Sequence, residues 1–353
     1  MRSTLDEVLA TLRDLEIYVQ SIDPVNAALV SIADPMVRGY LTVRRQLDGA
    51  AFIILLYAAF EKFVEDLVWS HTELESAAAK YDDLSDQLRK KHLEQSASLL
   101  AKGRLGEGRY SDLTPVDAIA NLHQCVSGVR PYKLNRHAVL YHENNLRPVI
   151  VQTIFSLTGV SSINELVRQS EPLVQWNLKA TGAPTPGPVP LSSIERHLDE
   201  IVELRNQTAH SGVGLGQVLG SADMQEHLEF MRAYCRALYE AVTGAYLDRS
   251  YIHKPGAATA LGEFLLGPLR KHGGAVVVHK PTCRTYVGQP VIGKRDNRVD
   301  RWGTIQELQV DDKPVPAVEA GDPAAEVGLR VDFELTKNTQ LYLLPAKDDA
   351  VWG

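Results

Sequence analysis

The residue pattern changes character once, at His253-Lys254-Pro255-Gly256, and that change limits what the chain can fold into. Upstream, apolar residues recur at three- and four-residue spacing, the period of helices packed through one face. Downstream, four short runs read as strands separated by Gly, Pro and Asp turns: Ala275 to Val278, Thr304 to Val310, Leu329 to Leu335 and Gln340 to Leu344. At 353 residues each part is long enough to bury its own core. The expected fold is α+β in two domains. A mostly α-helical domain covers 1–253, a linker covers 254–264 and an all-β domain covers 265–353. So many short strands within about 80 residues imply a small closed barrel.

Within the helical part, Leu5, Val8, Leu9, Leu12, Leu15 and Val19 predict a first helix over 4–21, with breaks at Asp23-Pro24 and Asp34-Pro35. A long helix follows from Met36 to about Ala79, its apolar face formed by Phe52, Leu55, Leu56, Ala59, Phe60, Phe63, Val64 and Leu67. Further helices are expected over 81–101, from a Thr114 cap with Pro115 to Val126, over 147–157, and from Ser161 towards Gln169. Thr181 to Pro190 holds four prolines in ten residues, an extended loop that interrupts the domain without ending it. Ser192-Ser193-Ile194-Glu195 reads as a capping box opening a helix that ends near His210, and 221–246 gives one more.

The formal net charge of −7 argues against indiscriminate coating of nucleic acid. Its distribution is uneven. Arg270, Lys271, Lys280, Arg284, Lys294, Arg295, Arg298 and Arg301 are opposed only by Asp296 and Asp300, so this stretch carries +6. It is a candidate RNA-phosphate footprint and equally a solvated mixed-charge face. The longest uncharged apolar run, Gly49 to Phe60, is too short to span a bilayer. The first residues lead into a charged amphipathic helix rather than an apolar signal segment. Cys125, Cys235 and Cys283 form no CxxC pair, and the eleven histidines include no HExxH. A cytoplasmic protein is expected, with no disulfide framework, metal site, cofactor or membrane partner.

The helix after the proline loop closes on Ile201-Val202-Glu203-Leu204-Arg205-Asn206-Gln207-Thr208-Ala209-His210, followed by Ser211-Gly212-Val213-Gly214. Arg205 offers a fixed fork of donors that suits a phosphate. His210 gives and takes a proton near neutral pH. Asn206, one turn before His210, is spaced to orient the imidazole or to bind substrate. On an ideal helix Arg205 and His210 stand about 140° apart, so convergence requires the helix to loosen near Ala209, which Gly212 and Gly214 permit. The same residue types also cap the last carbonyls of a helix and offset its dipole, and spacing alone does not separate the two roles.

The Arg205-Asn206-x3-His210 pattern resembles the Arg-x4-6-His signature of HEPN domains. Leu55 to Leu67, and His142-Glu143-Asn144-Asn145-Leu146-Arg147-Pro148 with the apolar helix ending at Thr158-Gly159-Val160, resemble the HEPN branch of bacterial toxin and defence proteins in the same order. The resemblance implies a metal-independent endoribonuclease, with Arg205, His210 and Asn206 at the site, working as a homodimer whose two motifs face one cleft. A regulatory protein partner fits that context. The His142-Asn144-Asn145 cluster, a signature of fold in such proteins, is expected to cap the helix that follows it. Two other roles found in the family are binding RNA or ribosomes without catalysis, and pairing with a nucleotidyltransferase whose motif this chain lacks. A second resemblance is carried by Val287-Gly288-Gln289-Pro290-Val291, Trp302-Gly303-Thr304-Ile305, Val318-Glu319-Ala320-Gly321-Asp322 and Val327-Gly328-Leu329. These are similar to the second-domain β-barrel of elongation factor Tu, which implies tRNA or another translation-related RNA as target. No GxxxxGK[ST] phosphate loop is present.

Overall fold

The computed structural model describes the chain apart from residues 33, 104, 212–218, 262–263, 268–274, 280–282, 321–325 and 337, and apart from the side chains of Arg109, His210, Ser211, Ala275 and His279. Helical residues precede an antiparallel sheet, the expected α+β order. Two compact units divide inside a helix, at Tyr239/Glu240, rather than at the change of residue pattern near His253.

In the first unit, α1 (Arg2–Val30) passes straight through Pro24, where a break was predicted. Pro24 and Gln20, whose carbonyl loses its bond, both face solvent, while Val19 and Ile22 are buried on the opposite side. The freed carbonyl is open to water, which offsets part of the lost hydrogen bond, and the buried face of α1 ends at Ile22. The second helix, α2 (Pro35–Ala78), starts where expected, with the Asp34 carboxylate accepting from Met36 N–H at 2.7 Å and Pro35 in the first turn. Its middle is the centre of the core: Phe52, Leu56, Phe60, Phe63, Val64 and Leu67 are all essentially inaccessible. Each large side chain of this kind contributes roughly 1.5–3 kcal/mol through burial. Leu55, assigned to the same face by spacing, is 53% exposed.

The expected helix over 81–101 divides. Tyr81–Asp83 is a single 3₁₀ turn, and α3 (Asp86–Lys102) begins behind Ser85, whose hydroxyl accepts from Leu88 N–H at 3.1 Å. His92 is wholly buried on α3. Its Nε2 accepts the Asn135 N–H at 2.9 Å, so Nδ1 carries the proton and points at the Tyr81 hydroxyl, 3.3 Å away. The α4 helix (Pro115–Val126) has the full Thr114/Asp117 capping box. Two helices were not anticipated, α5 (Arg136–Leu140) and α8 (Glu171–Thr181). Between them lie α6 (Pro148–Leu157) and α7 (Ile163–Val167). After the proline loop, α9 (Leu191–Ser211) begins before the serines expected to cap it. The next helix, α10 (Ser221–Leu247), packs Phe230 and Tyr234 into an aromatic cluster with His197, Trp176 and Phe60.

The second unit takes the last two turns of α10, a π-helical turn at Asp248–Ile252 and, among the described residues, ten strands. These are β1 (Thr259–Ala260), β2 (Phe264–Leu266), β3 (Ala275–His279), β4 (Thr285–Tyr286), β5 (Pro290–Arg295), β6 (Arg298–Val310), β7 (Lys313–Pro314), β8 (Ala317–Val318), β9 (Glu326–Val331) and β10 (Gln340–Leu343). Eight form one antiparallel sheet in the order β1-β10-β5-β6-β9-β3-β2, with β7 on β6, while β4 and β8 pair separately. Among the described residues β1 and β2, which flank residues 261–263, do not pair with each other, and the sheet has the form of a half-barrel. Val276, Val278, Val291, Ile305, Leu329 and Leu341 are among the side chains of its core. Two-residue turns set the register. Asp296-Asn297 and Asp311-Asp312 all hold positive φ, the tight hairpin geometry that Asn and Asp tolerate. Within this unit the backbone carbonyl of Val299 lies against Gly244, where a Cβ would be 2.3 Å from the oxygen. Asp348 accepts from the Tyr246 and Tyr251 hydroxyls at 2.7 Å each, and it caps α11 (Asp349–Trp352).

Candidate functional site

Three stretches far apart in sequence meet around Arg205. Its guanidinium carbon lies 5.2 Å from the centroid of the Tyr57 ring on α2. Arg205 Nη1 donates to Asn206 Oδ1 at 3.2 Å, and the same oxygen accepts from Asn145 Nδ2 at 3.1 Å. The Tyr57 hydroxyl accepts the Leu146 N–H at 2.9 Å and donates towards Asn145 Oδ1 at 3.4 Å. Tyr57 is 2% exposed, whereas Arg205 and Asn206 are half-buried. Burial pushes the Tyr57 phenol up to about 12; the Leu146 N–H opposes that rise, and the charge of nearby Glu61 adds to it. The phenol therefore stays protonated, leaving its ring neutral beneath the cation.

The segment carrying Asn145 is pinned at both ends. His142 Nε2 is 3.3 Å from Glu65 Oε1 on α2, and its Nδ1 is 2.8 Å from Asn144 O. Both partners are acceptors, an arrangement that the protonated imidazolium satisfies in full. The Glu65 hydrogen bond, foremost, then the Asn144 carbonyl and the charges of Glu65 and Glu61, raise the His142 pKa against the opposing effect of burial. At the other end Arg147 pairs with Asp199 on α9. This corrects the expected role of the His142-Asn144-Asn145 cluster. The residue capping α6 is Arg147, with no side-chain bond, and the amide of Asn145 is directed across the fold to α9.

The backbone of α9 remains α-helical through Ser211, so it does not loosen near Ala209 as convergence within one chain would require. The side chain of His210 lies outside the described residues, as does the following 212–218 segment. Of the basic stretch, Arg270, Lys271 and Lys280 also lie outside them. Arg284 pairs with Glu319 at 3.1 Å, Lys294 with Asp248 at 2.8 Å and Arg295 with Asp300 at 2.6 Å. Arg301 Nη1 donates to the Asp300 carbonyl at 2.8 Å. Arg298 is half-buried, and desolvation, foremost, lowers its pKa.

Residues 29–244, more than half the chain, match the RiboL-PSP-HEPN family. The chain belongs to that family. No curated protein matches it. The matched region of this HEPN protein contains α2, the 142–147 segment and α9, so the Arg205 cluster lies wholly within it, while the sheet lies outside. Among the described residues no helix is long and apolar enough to cross a membrane, and no group of three or more His, Cys, Asp and Glu side chains is arranged to hold a metal ion.

Sequence reading names Arg205 and Asn206, which the structure brings together with Tyr57 and Asn145, but does not name those two as partners. Tyr57 sits in an apolar helical stripe, where an aromatic residue reads as core. An asparagine two residues before an N-cap reads as part of that cap. The available signal was the joint presence of both blocks with the Arg-Asn pair.

Proposed function

We propose that this HEPN protein is a metal-independent endoribonuclease, with Arg205, His210 and Asn206 at its site. The observation that carries the reading is the fixed guanidinium of Arg205. It is held by Tyr57 and Asn206, and its remaining N–H groups have no acceptor among the described residues. A phosphodiester would occupy those donors. The ribose 2′-oxygen attacks phosphorus and loses its proton to a base as the bond to the 5′-oxygen breaks. That oxygen takes up a proton, giving a 2′,3′-cyclic phosphate and a 5′-hydroxyl. Arg205 stabilises the charge gathered on the non-bridging oxygens, and His210 moves protons.

One motif supplies a single imidazole, and positions 205 and 210 stand about 140° apart on an uninterrupted helix. Two copies supply both acid and base. A solvent-facing stripe on α2 supports that assembly: Tyr40, Val43, Leu47, Ala51, Ile54 and Ala58 recur at three- and four-residue spacing on the helix that carries Tyr57. The C-terminal sheet, similar in motif to elongation factor Tu domain 2, acts in this reading as a targeting module for tRNA or other translation-related RNA. In this reading its phosphate contacts come from the 270–301 stretch apart from Arg284, Lys294 and Arg295, which pair with Glu319, Asp248 and Asp300. A toxin or phage-defence setting, with a regulatory protein partner, suits such an activity.

The test is incubation of pure protein with total RNA in EDTA, followed by mapping of the new ends. Cyclic-phosphate ends that vanish with His210→Ala are expected. RNA left intact by protein that binds it with unchanged affinity would point instead to a non-catalytic RNA-binding module.

A further inference from the structure

We propose that Asn145 and Tyr57 are positioning residues for Arg205, with Asn145 acting through Asn206. The inference rests on the reading above, in which Arg205 meets the scissile phosphate. It is carried by the order of donors and acceptors in the cluster. Arginine has no acceptor, so Asn206 must present its oxygen to Nη1. Asn145 can reach that oxygen only with its amide nitrogen, which turns its own oxygen towards the Tyr57 hydroxyl. The hydroxyl already accepts the Leu146 N–H, so its proton is available to Asn145. Neither amide can flip without setting two acceptors or two donors face to face. Tyr57 also closes the loop, since its ring lies beneath the guanidinium that the hydrogen bonds hold from the side. With its oxygen doubly engaged, Asn206 is left with an Nδ2 donor that has no acceptor among the described residues, oriented by the same chain.

A purely structural amide would serve the helix beside it, and Asn145 does not. The side chain leaves α6 without a cap and joins α9 to α2 at the one point where the motif arginine stands.

Asn145→Asp tests this with almost no change in volume. Its carboxylate would face the Asn206 oxygen, so Asn206 turns its amide inward and Arg205 loses its acceptor. In the full-length protein kcat is expected to fall about 10- to 100-fold, with KM changing less than about threefold. Tyr57→Phe, which keeps the ring, should lose less. Asn145→Ala combined with Asn206→Ala should be no slower than Asn206→Ala alone, because both act through one bond. An activity-free readout is the NMR signal of the Arg205 side-chain N–H, assigned by its loss in Arg205→Lys. The Tyr57 ring should shift it upfield in the wild type, and Asn145→Asp should remove the shift. If the wild type proves inactive on RNA, the ribonuclease reading fails and this signal alone decides the positioning role. Additive losses in the double variant, or an unmoved Arg205 signal in Asn145→Asp, would overturn the proposal. Should Asn145→Asp fail to fold, Tyr57→Phe with wild-type kcat and an unmoved Arg205 signal would do the same.

Discussion

His142 pairs with Glu65 on α2 at 3.3 Å, while its Nδ1 lies 2.8 Å from the carbonyl of Asn144. His92, buried in the same unit, instead accepts a backbone N–H and is held neutral. The two histidines therefore respond to pH in opposite senses. Burial pulls His92 down to about 4, so on acidification the unfolded chain takes up its proton first. That contribution shrinks from about pH 6.5 towards 4, by an amount on the order of 3 kcal/mol. His142 is raised above its ordinary value, so its contribution is complete below about pH 6.5 and is lost as pH rises through its folded pKa. Denaturant midpoints of the helical unit should trace a dome with pH. His142→Gln should flatten only the alkaline limb; an unchanged limb would remove the Glu65 pair as its cause.

Arg205→Lys should behave nearly like Arg205→Ala. A lysine ammonium keeps the charge but cannot lie flat over Tyr57 and donate in a fork at the same time. Each variant, and His210→Ala, should lower single-turnover cleavage about 10²- to 10³-fold without changing helix content. Cleavage by Arg205→Lys at the wild-type rate would reduce the role of Arg205 to charge alone.

Placing charge on the exposed stripe of α2 should separate the copies. Leu47→Glu with Ile54→Glu places both charges on side chains that are 46% and 43% exposed. Light scattering should show a wild-type dimer and a folded monomeric variant with impaired cleavage. A wild type that is active while monomeric would exclude the two-copy site.

Gly244→Ala should unfold the C-terminal unit more readily, by about 1–3 kcal/mol, since the new methyl meets the Val299 backbone oxygen at 2.3 Å and a β-strand cannot easily retreat. Gly39→Ala, in the exposed start of α2 with nothing within 4 Å, is the matched control and should be neutral or stabilising. Calorimetry should place Gly244→Ala below the wild-type Tm and Gly39→Ala at or above it. Equal Tm values would show that the close approach at Gly244 is relieved at no cost.

The period of the residues made the order of helices and strands legible, as did local signals such as Asp34-Pro35 and the Thr114/Asp117 box. What they could not reveal depends on tertiary anchoring. Pro24 reads as a break until it is known that the proline and the carbonyl it leaves unbonded both face solvent. Leu55 reads as core because an apolar stripe on a long helix does not say where packing ends. Asp296-Asn297 was a readable hairpin signal that went unused. At the site, Arg205 and Asn206 were visible as a motif, but their partners lie 148 and 61 residues away, at Tyr57 and Asn145. No local pattern encodes such a meeting.

The division at Tyr239/Glu240 bears on how such proteins can acquire new C-terminal parts. A junction drawn where the residue pattern changes, near Pro255, would leave Gly244, Tyr246 and Asp248 with the helical half, although they touch Val299, Asp348 and Lys294. A recombinant chain would then leave the glycine notch and two polar side chains without the partners they have here. Exchange that carries Glu240 to Leu247 along with the sheet transfers the lock together with its key, so the inheritable module begins in mid-helix.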